Sequence, residues 1–180
     1  ASDVYKRQGV FGMATALMEV LDTLDPQSGD VERFAQLPIE IHPGVTAALA
    51  AAALVGAPLG HDFAVLSLSD RLKPWETIAQ RVQACCTVDL AFAVYNPKSR
   101  ARPHQIDTFI ELLRRARSPE TLIIKVRAVG CEQEQYSVST LADFTSDDVD
   151  MRTVLIVGSS RTRRVAVGDR QRVYTPRRYD

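Results

Sequence analysis

Apolar residues recur at helical spacing between Gly9 and Leu24, where Val10, Met13, Ala14, Leu17 and Leu21 would share one side of a helix. The segment Asp25-Pro26-Gln27-Ser28-Gly29-Asp30 then reads as a turn cluster. Pro38-Ile39-Glu40-Ile41 predicts a short strand that stops at Pro43-Gly44. Val45 to Val55 is mostly alanine and predicts a helix, closed by Gly56-Ala57-Pro58. Beyond residue 60 the period changes. Phe63–Leu68, Leu90–Tyr95, Thr121–Val126, Tyr136–Thr140 and Thr153–Val157 are short runs that predict strands. Between them, Pro74 to Cys86 and Pro103 to Ala116 carry helical spacing, with proline in the first turn. The basic tail, Arg161 to Asp180, has scattered valines and room for one edge strand.

Strands alternating with helices predict an α/β domain over residues 61–180. The link from Val126 to Tyr136 is too short for a helical crossover, so those two strands are expected to be antiparallel and the sheet mixed. Residues 9–60 offer helix, strand, helix. One strand cannot form a sheet, so this stretch is expected to be the end of a second, incomplete α/β domain. Residues 1–8, ASDVYKRQ, hold three charges and no periodicity, and are read as a junction outside the fold. The chain starts with alanine, and part of a longer protein is the expectation.

Charge narrows the partners. Lys plus Arg is 22 and Asp plus Glu is 22, so no global field attracts nucleic acid or an anionic membrane. An anionic substrate must meet a local basic patch. The apolar run Val45–Val55 is far short of a bilayer span and no secretory signal is visible. Of the three cysteines, Cys85 and Cys86 are adjacent and Cys131 is alone. That usage predicts reduced thiols in the cytoplasm, with neither a disulfide framework nor a metal site.

Five segments could carry chemistry. Gly9-Val10-Phe11-Gly12 opens a helix with small residues that let a ligand approach the backbone, or that merely help packing. In His42-Pro43-Gly44-Val45-Thr46-Ala47-Ala48 a turn leads into an alanine helix, where Thr46 either anchors a flat ligand or caps the helix. Tyr95-Asn96-Pro97-Lys98-Ser99-Arg100-Ala101-Arg102 lies at the C-terminal end of a predicted strand, where open α/β sheets bind ligands. Lys98, Arg100 and Arg102 could clamp carboxylates there. Gly130, in Arg127-Ala128-Val129-Gly130-Cys131, marks a turn or a close approach. Gly158-Ser159-Ser160-Arg161-Thr162-Arg163-Arg164 could bind an anion or simply solvate the end of the domain. No Ser-His-Asp set, carboxylate pair or metal cluster can be assembled, and no catalytic residue is assigned. Methyl transfer from a sulfonium fits that absence, because positioning matters there more than acid–base groups.

Taken in order, GVFGMA at 9–14, HPGVTAA at 42–48, HDFAVLSLSD at 61–70, YNPKSR at 95–100 and DMRT at 150–153 resemble the tetrapyrrole methylase family. LSLSD and YNPKSR resemble one branch of it, which acts on precorrins. The resemblance implies two α/β domains with S-adenosylmethionine between them. It also implies methylation of precorrin-3B at C-17 with ring contraction, on the route to cobalamin, by a homodimer. By position it implies cofactor contacts from Gly9, Val10, Thr46, Ala47, Asn96 and Gly130; Lys98, Arg100 and Arg102, read from their charge and their place at a strand end, would then meet the carboxylates of the precorrin. The family's Gly-Asp pair is replaced here by Arg7-Gln8, and its early strands have no counterpart in these residues. Two other readings follow. One is a different or cobalt-dependent tetrapyrrole methylase. The other is a non-catalytic α/β module that dimerises or binds a ligand.

Overall fold

A computed structural model describes residues 10–178. Gly9 and residues 1–8 lie outside the described residues. The chain divides into two compact units, residues 1–47 and 48–180. The sequence pattern predicts a boundary at residue 60. The stretch from Ala48 to residue 60 is nevertheless bonded into the second unit. Gly56–Ala57 (β1) pairs in parallel with Arg170–Tyr174 (β8), and Arg172 donates to the Leu54 carbonyl at 2.9 Å. Only glycine fits at position 56, whose φ is +137° and where a Cβ would stand 2.5 Å from the Val173 carbonyl oxygen.

The first unit contains two helices, α1 (Met13–Asp22) and α2 (Gly29–Ala35). Helix α2 was not anticipated: the turn signal of residues 25–28 is real, but Gly29 and Asp30 already belong to the helix. Pro38–Ile41 does not form the expected strand. A strand needs a hydrogen-bonding neighbour, and no described residue pairs with this segment, in which Pro38 also lacks an N–H. Helix α1 has no buried residue. Met13, Val20, Leu37, Ile41 and Val45 are all exposed.

The second unit is built on a five-stranded sheet in the order β2-β3-β6-β4-β5. Its strands are Phe63–Ser67 (β2), Ala91–Tyr95 (β3), Leu122–Arg127 (β4), Gln135–Thr140 (β5) and Thr153–Val157 (β6). β2 and β3 are parallel, β6 runs antiparallel to both β3 and β4, and β5 runs antiparallel to β4. The sheet is mixed, as the short β4–β5 link required. Helices α4 (Trp75–Thr87) and α5 (Gln105–Ala116) each bury a stripe: Ile78, Val82, Cys85 and Cys86 on one, Ile106, Phe109, Ile110 and Leu113 on the other. These join Phe92, Val94, Ile123, Leu155 and Val157 in one core, where Phe92 and Phe109 meet edge to face at 6.4 Å. Cys85 and Cys86 are free thiols, and burial pushes the Cys85 thiol above its usual value. Tyr95 points to the other face of β3, and its buried hydroxyl accepts the Ala48 amide at 2.7 Å, in helix α3 (Ala47–Val55). The tail forms a hairpin, Arg163–Val167 (β7) with β8, rather than one edge strand, and Gly168 at φ +62° makes its turn.

One buried cation ties the elements together. The Arg117 guanidinium, its side chain 5% exposed, meets the Asp89 carboxylate and donates to the carbonyls of Cys85 (3.1 Å) and Leu90 (2.6 Å). Asp89 also accepts the Ser160 amide at 2.9 Å and the Ser160 hydroxyl. The ends of α4 and α5, the start of β3 and the loop after β6 therefore share one ionic knot. Burial opposes ionisation of Asp89, but the Ser160 donors and Arg117 outweigh it and hold the carboxyl below the ordinary carboxylate value.

Arg117→Met should destabilise the second unit by roughly 3 kcal/mol, because it strands a carboxylate and two carbonyls together. Asp89 has a depressed folded pKa, so its contribution is present above the unfolded value of about 3.8 and is lost as pH falls through the folded value. Urea denaturation from pH 6 to pH 2 checks both points, with Asp89→Asn expected to flatten the acid limb. In hydrogen exchange, amides of β3 and β6 should be the slowest and those of residues 10–46 much faster. Equal protection in a proven monomer would contradict that ordering.

Candidate functional site at the strand ends

β2, β3 and β4 run in one direction, so Ser67, Tyr95 and Arg127 end along a single edge of the sheet. β6 enters at the same edge, with Thr153 opposite Arg127. The first residue past β3 is Asn96 and the first past β4 is Ala128. Both take left-handed backbone, with φ +52° and +54°. Asparagine tolerates that region because its short amide finds a local partner. Here Asn96 Nδ2 donates to Ser67 Oγ at 2.9 Å, and the same oxygen accepts the Ser69 amide at 3.2 Å. Ala128 has no such side chain. Its amide donates to the Arg152 carbonyl and its own carbonyl accepts the Cys131 amide, both at 3.0 Å. Strained backbone of this kind gathers where a chain is held for function.

The cations of the β3 loop are held unequally. Ser99 and Arg102 exchange backbone hydrogen bonds of 3.2 and 3.0 Å, which closes a tight turn. Arg102, its side chain 12% exposed, donates to the Leu68 carbonyl at 3.3 Å and lies 3.8 Å from Asp70 Oδ1, while Gln105 donates to Asp70 Oδ2 at 3.0 Å. Lys98 Nζ reaches the Ser146 carbonyl at 3.4 Å. Arg100 is exposed at the turn and makes no ion pair among the described residues. The expectation of three cations facing a substrate is thus altered. Arg102 is turned inward because Asp70 and a carbonyl supply its partners, and Arg100 is left to face outward.

A second ionic group borders this edge. Arg127 Nε donates to Asp150 Oδ2 at 2.9 Å, and Asp150 Oδ1 accepts the Arg152 amide and the Thr153 hydroxyl at 2.9 and 3.0 Å. Burial works against the Asp150 charge, yet Thr153, Arg127 and the Arg152 amide keep its carboxyl below the usual value. Gly130, with φ +74°, lies in the turn after β4, where its amide donates to the Glu134 carboxylate at 2.7 Å.

The structure therefore brings Asn96, Lys98, Arg100, Arg102 and Gly130 to one sheet edge. Val10, Thr46 and Ala47 belong to the first unit. Val10 precedes α1, Thr46 is buried and Ala47 is the first residue of α3. His42 is exposed and meets Glu40 at 3.1 Å. Sequence reasoning assigned no role to Ser67, Asp70, Arg127 or Asp150. LSLSD holds Ser67 and Asp70 and DMRT holds Asp150, but the partners that join the loops, Asn96 for Ser67, Arg102 for Asp70 and Asp150 for Arg127, lie 23 or more residues away. Among the described residues no group of three or more His, Cys, Asp and Glu side chains is placed to hold a metal ion.

Residues 16–145 match the model of the Tetrapyrrole (Corrin/Porphyrin) Methylases. Over 172 residues the chain is 44% identical to the Precorrin-3B C(17)-methyltransferase of a Sinorhizobium species, covering 95% of this chain and 65% of the relative. It is 45% identical to the cobalamin biosynthesis protein CobIJ of Mycobacterium bovis, covering 95% of this chain and 32% of that protein. The crystal structure of the methyltransferase CobJ superposes with a TM-score of 0.84 at 45% identity, over 94% of this chain and 67% of that one. The chain thus spans less than two thirds of both curated relatives.

Left-handed alanine costs on the order of 1 kcal/mol, so Ala128→Gly should raise the melting temperature, whereas Asn96→Val should lower it through both backbone and the lost Ser67 bond. Thermal unfolding of the two variants measures this. A rise with Asn96→Val would mean that Ser67 and Asn96 hold nothing in place.

Proposed function

The chain belongs to the tetrapyrrole (corrin/porphyrin) methylase family, and from that premise we propose that it serves in S-adenosylmethionine-dependent methylation of precorrin-3B at C-17, with ring contraction, in cobalamin formation. The observation that carries this reading is the 44% identity, along 95% of the chain, to a relative named for that reaction. Its finer parts, a homodimer in the cytoplasm with S-adenosylmethionine as methyl donor, rest on the family. No helix among the described residues is long and apolar enough to cross a membrane, and the exposed apolar residues of the first unit offer surface for association.

The chemistry asks the protein for position more than for acid or base. S-adenosylmethionine supplies an electrophilic methyl on a sulfonium. On the family resemblance, Val10, Thr46, Ala47, Asn96 and Gly130 are the residues proposed to contact it, with Gly9 outside the described residues. Asn96 is suited to this because its backbone is turned out of the strand while its side chain is fixed on Ser67. A precorrin is fringed with carboxylates. Arg100 can take one in a bidentate pair, and Lys98 can add charge beside it. Arg102 acts differently: through Leu68 and Asp70 it holds the two loops in register.

This division is testable in the full-length enzyme. Arg100→Ala should raise the KM for precorrin-3B by about tenfold or more, the loss of one charge-assisted contact, and leave the melting temperature alone. Arg102→Ala should lower the melting temperature as well as affinity. Arg100→Lys should recover part of the loss, since it keeps charge but not the planar fork. The cofactor dissociation constant should move little in each. An unchanged precorrin KM in Arg100→Ala would end the clamp reading. Turnover of only a cobalt-containing substrate would move the enzyme to the metal-dependent route.

A further inference from the structure

We propose that the C-terminal hairpin carries a second binding site, for a small organic or inorganic polyanion bearing two or more phosphate or carboxylate groups. It is independent of the strand-end site. β6 runs antiparallel to its neighbours, so Val157 lies beside the early residues of β3 and β4, and the Gly158 amide bonds the Leu122 carbonyl at 2.8 Å. The segment 158–164 therefore leaves the sheet at the edge opposite Asn96 and Ala128. A cavity of about 470 Å³ opens beside it, with Gly60, Arg163, Tyr174, Thr175, Arg177 and Arg178 among its walls.

The charge of these walls is one-sided. Three arginines line the cavity and no Asp or Glu does. Among the described residues none of the three makes an ion pair. Residues 161–180 hold seven arginines against two acids, Asp169 and Asp180, in a chain whose net charge is zero. Gathered guanidinium groups repel one another, and an anion between them removes that repulsion. The volume exceeds the needs of a single phosphate and falls within the range of small-ligand sites.

The walls are also held in place. Arg163 on β7 lies over the ring of its cross-strand partner Tyr174, 5.4 Å from the centroid, which restrains its stem while leaving N–H donors at the rim. Arg161 Nη2 donates to the Arg178 carbonyl at 3.0 Å and ties down the last stretch. Beneath, Thr175 Oγ1 donates its one proton to the Pro58 carbonyl at 2.5 Å. It must then accept from Thr162 Oγ1, 2.8 Å away, which in turn accepts the Ser159 amide at 2.9 Å. This buried relay runs one way and makes the floor rigid. At Gly60 a Cβ would stand 3.0 Å from the Ala57 carbonyl and 3.3 Å from that of Thr175, so the wall there is backbone.

The test is calorimetric titration of the 180-residue chain with pyrophosphate and, separately, citrate at low salt. Saturable binding of at least one probe at one site is expected, weakening as salt rises. Arg163→Gln and Arg177→Gln should each weaken it about tenfold or more, with unchanged melting temperature. Arg170→Gln removes the same charge from the hairpin outside the cavity and should change binding little. Preference for one probe assigns phosphate or carboxylate as the recognised group. No saturable binding of either probe, or an equal loss in Arg170→Gln, would overturn the proposal. Neither result bears on precorrin turnover, which is read at Arg100.

Discussion

The second unit depends on the burial of β6 between β3 and β4. All five residues of β3 and all five of β6 are buried, so these strands touch protein on both faces and both edges. Such strands are apolar except where a buried hydroxyl finds a partner, as Tyr95 and Thr153 do, and each must find backbone hydrogen bonds on two sides. Because β6 is antiparallel to its neighbours, it holds the ends of β3 and β4 one strand apart and sends its own entering loop between them. That is why Arg152 and Asp150, remote in sequence from Asn96 and far from the helices, border the same edge. It is also why the Arg152 carbonyl is available to fix the Ala128 amide.

The two ends of this sheet are stabilised by different means. At the end where β3 begins, Arg117, Asp89 and Ser160 form a knot whose partners are mostly internal, and its role is to join helices to the sheet. At the other end, hydrogen bonds hold backbone in unfavourable conformations: Ser67 supports Asn96, and Arg152 supports Ala128. The first arrangement is stable without any ligand. Left-handed backbone occurs at both ends, at Asp89 (φ +55°) in the knot and at Asn96 and Ala128 here, but only at the second end do polar groups and Arg100 face outward, the kind of pre-organised surface that a positioning reaction requires.

Zero net charge conceals a strong segregation. Arg102 and Arg117 are directed inward and matched by Asp70 and Asp89. Arg100 at one end of the sheet, and Arg163, Arg177 and Arg178 at the other, have no ionic partner among the described residues. Composition counts these arginines alike. Their surroundings separate a loop brace and a helix anchor from cations that remain open to an anion.

Much of the second unit was legible in the chain. The continuous apolar runs of β2, β3, β4 and β6 mark buried strands and the stripes of α4 and α5 report a period of 3.6 residues, and both are local properties of the chain. The short β4–β5 link dictated an antiparallel pair, and the ordered motifs pointed to the family. Pro38–Ile41 has the pattern of a strand and forms none, because an apolar run near proline looks the same whether or not a partner exists. The tail was under-read because β7 is exposed along its whole length and carries no burial pattern. The site showed the same divide. The sequence by itself determined which residue types stand after each strand: asparagine, the three cations and the glycine. Only the tertiary structure decided that Arg102 turns to Asp70 while Arg100 does not, that Asn96 leans on Ser67, and that Ala128 is strained. Each of those outcomes depends on a partner 24 to 34 residues away, and the direction of a side chain is set by whichever donor or acceptor the fold delivers to it.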